Sequence, residues 1–217
     1  LLSIADSTHD TEHIDNISKQ NIPLVLFDKY SKLSDCSSVI INDQNAAFTA
    51  VEHLIKSGKK NIAHLRGPLL PQNSIDRFLG YRKALEKHQL PYKKEWVFTC
   101  QDITSDEGYA YAKEILDKQP EIDAIFAVAD MPAIGAIKYI NEQNISIPEQ
   151  IAVMGFSNWK ISGLITPALS TVNQPGETMG KKAFELFFKE LQLLKKGKEI
   201  KHQIVEIETS LVVRDST

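Results

Sequence analysis

His9-Asp10-Thr11-Glu12-His13 is the one stretch with the spacing of a metal site, an H-x-x-E-H pattern in which two histidines one helical turn apart face a single cation. Residues 10–20 around it are polar, with Ile14 and Ile17 on one side, and offer no third ligand. The pattern therefore reads as the solvated face of an exposed helix, and no metal is expected. Nucleophilic catalysis has no candidate either. Serine, histidine and aspartate occur without a spacing that singles out a trio, and G-x-G-x-x-G, the P-loop and G-x-S-x-G are missing, so neither an enzyme nor a cofactor is expected. What remains is a distribution. Through residues 38–82 the polar side chains gather where apolar runs stop, as at Asn42-Asp43 and Gly67-Pro68. In an open parallel sheet, strand ends are where small molecules bind.

The elements that would position those ends follow from periodicity. Val39-Ile40-Ile41 is the short apolar run of a buried parallel strand, and Asn42 or Asp43 can cap the helix behind it. Ala47, Val51, Leu54 and Ile55 share one face of that helix, which Gly58 stops and whose carbonyl end suits Lys56, Lys59 and Lys60. Ile62-Ala63-His64-Leu65 form the next strand, and a helix from 73 to 88 turns Phe78, Tyr81 and Leu85 inward. The alternation continues with strands at 1–4, 22–27, 96–100, 122–128, 151–154, 169–172 and 204–213 and helices at 105–118, 131–142 and 176–194. Such alternation means an α/β fold with parallel sheets. Polar, breaker-rich continuations at Asn42-Asp43 and Asn173-Gln174-Pro175-Gly176, with a third crossing at 202–205, divide the chain into two lobes with a cleft between them. One lobe takes 1–41 and 174–203, the other 42–173 and 204–217.

Composition narrows the partners. The 217 residues are 42 % apolar and 24 % charged, ordinary values for a globular protein. A net charge of −3 argues against this chain being a nucleic-acid surface by itself, and the basic run Lys195, Lys196, Lys198, Lys201 reads as a solvated helix end. Cys36 and Cys100 share no metal or redox spacing, which fits a reducing compartment. No apolar stretch reaches membrane-spanning length, so no membrane partner and a cytoplasmic location are expected. The sequons Asn16-Ile17-Ser18 and Asn144-Ile145-Ser146 are then without consequence.

In order along the chain stand Ile-Pro-Leu-Val-Leu-Phe-Asp-Lys at 22–29, Ala-Val-Glu-His-Leu-Ile-Lys-Ser-Gly-Lys-Lys-Asn-Ile-Ala at 50–63, Gly67-Pro68, Arg-Phe-Leu-Gly-Tyr-Arg-Lys-Ala-Leu from 77, Ala-Ile-Phe-Ala-Val-Ala-Asp at 124–130, Ile-Pro-Glu-Gln-Ile-Ala-Val-Met-Gly-Phe at 147–156, Pro-Ala-Leu-Ser-Thr-Val-Asn-Gln-Pro at 167–175 and the terminal Ser-Leu-Val-Val-Arg-Asp-Ser-Thr. Over essentially the whole chain these motifs resemble the lactose-repressor family of bacterial transcription regulators in its effector-binding domain, itself similar to periplasmic sugar-binding proteins. The resemblance implies two Rossmann-like lobes with parallel sheets, and a repressor or activator whose DNA affinity is reset by a small molecule in the interlobe cleft. It further implies a homodimer that reaches operator DNA only through an N-terminal helix-turn-helix domain outside this chain. The opening residues resemble the third strand of the N-terminal lobe, so that lobe is expected to be incomplete. The family's pairing surface would include the 67–72 loop, with Leu69 and Leu70, and the helix from 73. A periplasmic-type receptor for sugar uptake is the alternative function, and an α/β enzyme has the least support.

Mapped by motif, the resemblance places Ser3, Asn73, Arg77, Asp102, Ile103, Asp130, Ser157 and Asn158 at the cleft. Arg77 would offer a guanidinium fork to sugar hydroxyls or a carboxylate; its alternative is a surface arginine paired with Asp76 or Asp106. Asp130 would cap the following helix and meet the ligand. Trp159 would stack on a sugar face or plug the lobe interface. Two departures bear on the ligand. Ala129-Asp130 stands where sugar-responsive members commonly have Asn-Asp, and Ser157-Asn158 follows Gly155-Phe156 where they commonly have Asp-Asp or Asp-Asn. An amide is lost and a carboxylate becomes a hydroxyl, which does not suit a site built for a typical hexose or purine. The expected effector is still sugar-like, a sugar or sugar derivative.

Overall fold

Two separate sheets organise the chain. In this computed structural model residues 1–5, 8, 10, 12–20, 22–30 and 35–217 are described, without the side chains of residues 13, 15, 18 and 19. The H-x-x-E-H reading falls on His9, Thr11 and the His13 side chain and so lies outside the described residues. Among the described residues no cluster of three or more His, Cys, Asp and Glu could hold a metal ion, and no helix is long and apolar enough to cross a membrane.

From the start, α1 (Glu12–Lys19), β1 (Val25–Phe27) and β2 (Ser37–Ile41) lead into α2 (Asp43–Lys56), β3 (Ile62–Arg66), α3 (Gln72–Lys87), β4 (Val97–Thr99), α4 (Ser105–Lys118), β5 (Ala124–Ala127), α5 (Asp130–Glu142), β6 (Ala152–Ser157) and β7 (Ser170–Asn173). The chain closes with α6 (Gly176–Lys195), β8 (Ile204–Ile207) and β9 (Ser210–Val212). It forms two units: Leu1–Asn42, Leu70–Asn73 and Pro175–Thr209 make the first, and Asp43–Leu69, Ser74–Gln174 and Ser210–Thr217 the second.

The first unit holds the parallel sheet β1-β2-β8. The strand expected at 1–4 reduces to a bridge between Leu2 and Leu26. The strand expected from Ile22 begins at Val25, because Pro23 has no N–H for the ladder and Ile22 is exposed. Met179, Ala183, Leu186 and Glu190 recur at helical spacing on α6 and are buried. Glu190 is the polar exception: Ser37 donates its hydroxyl to Oε1, and the N–H of Gln203 donates to Ser37 Oγ at 3.0 Å. Burial pushes the Glu190 carboxyl above the usual range against the opposing pull of Ser37.

The second unit holds a six-stranded sheet in the order β4-β3-β5-β6-β7-β9, parallel except for β9, which runs antiparallel to β7. Because β3 has β4 on one side and β5 on the other, the strand order reverses there, and β3/β5 is the topological switch point of the sheet. One face carries α4 and α5, whose Ala112, Ile115, Ala133 and Ile137 pack with Leu65, Ile125 and Val153. The other face carries α3, where Tyr81 and Phe78 stack with His64 and Phe126 stacks on the same imidazole. Each fully buried Leu, Ile or Phe here contributes about 1.5–3 kcal/mol. Helices α4 and α5 touch backbone to backbone: a Cβ on Gly108 would lie 2.0 Å from the carbonyl oxygen of Pro132, and one on Gly135 1.9 Å from that of Ser105. Glu52 of α2 pairs with Lys56 of the same helix at 2.8 Å and reaches the end of α3 through Lys87 at 2.8 Å and His88 at 3.0 Å.

The single strand expected at 204–213 is two. Residues 204–207 pair with β2 in the first sheet, and residues 210–212 with β7 in the second, so the last crossing falls at Glu208-Thr209 and not at 202–205. One apolar and polar alternation from Ile204 to Val213 conceals a change of partner. Residues 204–209 therefore go with the first unit, against the expected division that put 204–217 with 42–173.

Candidate functional site

The carboxyl ends of β3, β5, β6 and β7 carry the polar groups of the second unit. Arg77 projects from the sheet-facing side of α3 and is buried. Its Nε donates to Asp43 Oδ1 at 2.7 Å and its Nη1 to the carbonyl of Val128 at 2.7 Å, while its Cζ lies 3.7 Å from the centroid of the Phe156 ring. One guanidinium thus joins the start of α2, the end of β5 and the end of β6 through a desolvated ion pair and a cation–π contact. Pairing with Asp76 or Asp106 is not what the structure shows: position 77 shares the inward face with Gly80, Tyr81 and Ala84. Nη2 is the remaining guanidinium nitrogen, with no bond among the described residues.

Asp130 opens α5 yet does not cap it. Ala129 is the N-cap, with extended backbone and no side-chain bond to the helix. The Asp130 carboxylate turns across the sheet and accepts from the Trp159 N–H at 2.7 Å, the Ser162 hydroxyl at 2.6 Å and the Thr171 hydroxyl at 2.6 Å. Burial raises its affinity for a proton, and these donors oppose that shift. The capping expected for Asp130 is therefore replaced by a cross-strand clamp.

Ser157 and Asn158 leave β6 with φ of 109° and 55°, conformations that non-glycine residues seldom hold. Hydrogen bonds hold them: Ser157 Oγ donates to Gln174 Oε1 at 3.2 Å, Asn158 N–H to Thr171 Oγ1 at 3.3 Å, and Asn158 Nδ2 to Asn173 Oδ1 at 2.9 Å. Arg214 Nη2 donates to Asn158 Oδ1 at 2.8 Å. Trp159 follows with 56 % of its surface exposed, beside exposed Ile161 in the 3-10 turn Lys160–Gly163 and exposed Leu164 just after it. The Phe156 ring is taken by Arg77, so the Trp159 ring is the open aromatic wall of this turn.

After β4, Glu107 organises the loop through a capping box with Thr104 and through the N–H groups of Gln101 at 2.6 Å and Asp102 at 3.2 Å. Ile103, with φ of 55°, is half-buried there against the core, and Asp102 is exposed. Of the residues expected at the site, Arg77, Asp102, Ile103, Asp130, Ser157, Asn158 and Trp159 all belong to the second unit. Ser3 and Asn73 belong to the first. Sequence reasoning missed Ser162, Thr171, Asn173 and Arg214, and treated Asp43 as a cap only. Ser170-Thr171 at the start of a buried strand was the available signal for a polar network.

The arrangement is a polar strand-end face. It presents donors, hydroxyls and an exposed aromatic ring at a switch point. A periplasmic binding protein-like domain matches residues 51–217. The transcriptional repressor PurR of Photorhabdus laumondii is 31 % identical over 198 residues, covering 91 % of this chain and 57 % of that protein. This chain belongs to the lactose-repressor family.

As a lactose-repressor-family domain, it spans 57 % of PurR from Photorhabdus laumondii and 61 % of catabolite control protein A from Priestia megaterium. Its fold is shared with the regulator CelR in complex with cellobiose, at TM-score 0.84 and 28 % identity over 93 % of this chain and 61 % of that one. A regulator of the family from Enterococcus faecium with bound ribose superposes at TM-score 0.83 and 27 % identity, covering 99 % of this chain and 78 % of that one. PurR, CelR and the Enterococcus faecium protein are transcriptional regulators.

Proposed function

We propose that this lactose-repressor-family domain senses a sugar or sugar derivative at the strand-end face of its second unit and, as a homodimer in the cytoplasm, controls operator binding by a helix-turn-helix domain outside this chain. Arg77 carries the reading. A guanidinium fixed at a switch point by Asp43, Val128 and Phe156 is oriented before any ligand arrives, so little conformational freedom is lost on binding. Its Nη2, the Ser157 hydroxyl, exposed Asp102 and the Trp159 ring supply the donors, acceptors and stacking wall that a polyol needs. The cellobiose and ribose held by similar regulators support this ligand class. A net charge of −3 supports DNA contact through another domain. Exposed Leu69 and Leu70 support pairing, which a two-fold operator requires.

Calorimetry on the full-length regulator with a panel of ribose, cellobiose and phosphorylated sugars tests the site. Arg77→Lys keeps a cation beside Asp43 but loses the fork, and should weaken the ligand that binds by about ten- to a hundredfold. Unchanged affinity in a variant that melts like the parent would remove Arg77 from the site.

A further inference from the structure

We propose that Arg214, in the terminal segment, is a positioning residue that sets the 157–159 turn and thereby the groups an effector meets; this rests on the reading of the strand-end face as the effector site. Arg214 is itself anchored twice before it reaches the turn. Its backbone N–H donates to Ser170 Oγ at 2.8 Å and its Nη1 to the carbonyl of Leu169 at 2.6 Å, which leaves Nη2 directed at Asn158 Oδ1. The segment beyond it is equally fixed: Ser216 is buried, donating to the Val153 carbonyl at 2.7 Å and accepting from the Ser170 N–H at 2.8 Å. A rigid forked donor thus grips the side chain of Asn158, the second of the two positive-φ residues of the turn.

The turn needs such a grip. Ser157 and Asn158 both have positive φ, and neither is glycine. Asn158 spends one end of its amide on Asn173 and the other on Arg214, so its side chain acts as a strut and not as a free ligand group. With the strut in place the next N–H, that of Trp159, meets Asp130 at 2.7 Å and the indole stands in solvent. Arg214 lies five residues beyond Thr209, the last residue of the first unit, and two beyond β9. The contact therefore ties the turn to the segment that enters the second unit from the final crossing.

Trp159 reports on the turn without any ligand. The difference between the parent and Trp159→Phe isolates its emission and its iodide quenching, whatever other tryptophans the full-length protein carries. Arg214→Met should raise the quenching of Trp159 and lower its anisotropy, Arg214→Lys should do so to a lesser degree, and the emission of buried Trp96 should not move. Asn158→Ala should reproduce the Arg214→Met signal, and adding Arg214→Met to Asn158→Ala should change nothing further. An unchanged Trp159 signal in Arg214→Met, or additive effects in the double variant, would overturn the assignment. For the sugar found to bind the parent, Arg214→Met should weaken binding by about tenfold. A loosened turn with undiminished sugar affinity would keep Arg214 as the strut and displace the effector site from this face. Should Arg214→Met fail to fold, Asn158→Ala and Arg214→Lys carry the same comparison.

Discussion

Arg77 Nε and Asp43 Oδ1 lie 2.7 Å apart with 6 % and 2 % of their side chains exposed, an ion pair drawn almost wholly out of water at the switch point of the larger sheet. Removing one partner strands the other charge, and a stranded buried charge costs far more than the pair contributes. Asp43→Ala should destabilise the chain by about 3–5 kcal/mol, read from urea denaturation. A loss below about 1 kcal/mol would mean that water enters and replaces the carboxylate.

Ala129 occupies an N-cap without an acceptor side chain, at φ −151° and ψ 168°. Ala129→Asn supplies that acceptor and should stabilise the chain by about 0.5–2 kcal/mol. It also restores the amide that the family resemblance would place there, so under the proposed function the ligand preference measured by calorimetry should shift toward ordinary hexoses.

Gly155→Ala should be harmful through Asp130. A Cβ at position 155 would lie 2.5 Å from Asp130 Oδ1 and 2.8 Å from Leu169 Cδ2. The carboxylate is held by three donors and cannot retreat without breaking them. Chemical denaturation should show a loss of about 1–3 kcal/mol; a neutral outcome would mean that the clamp shifts without cost.

His64 stacks among Phe78, Tyr81 and Phe126, with Nδ1–H donating to the Phe126 carbonyl at 2.9 Å. Burial holds its pKa down at about 3. The unfolded chain takes up a proton near pH 6.5 that the folded one refuses, so the stabilisation is complete above that pH and is lost as pH falls toward 3. The stability difference between parent and His64→Gln should therefore change between pH 6.5 and 4, and NMR should find His64 neutral throughout. A titration of His64 near pH 6 would contradict this account.

Glu190 has the opposite sign. Its folded pKa lies above the unfolded value, so its contribution is largest below about pH 4.5 and declines as pH rises through the folded value. Glu190→Gln keeps an oxygen for the Ser37 hydroxyl and removes the charge. Its melting temperature should exceed that of the parent increasingly as pH rises; parallel profiles would show that Glu190 is solvated.

Residue periodicity made much of this legible. The run 39–41, the helix that begins at Asp43 and the strand beginning at Ile62 follow from apolar spacing and a glycine stop, because local sterics and a two-sided hydrophobic core act on neighbours in sequence. The motif order from 22 to 217 also marked the family, which the periplasmic binding protein-like match over residues 51–217 and the likeness to PurR and to solved regulators of the family bear out. What it could not contain was the partner of each polar side chain. Arg77 joins Asp43, 34 positions away, and Asp130 joins Ser162 and Thr171, 32 and 41 positions away. Nothing local distinguishes these pairs from a surface salt bridge with Asp76 or an ordinary helix cap. The break at Glu208-Thr209 is of the same kind: Ile204, Val205 and Ile207 before it and Leu211 and Val212 after it favour strand, and only the available edges of β2 and β7 decide that one run serves two sheets. Strand and helix identity were set by short-range pattern, whereas pairing depended on which groups burial left without water, and burial is a property of the assembled fold.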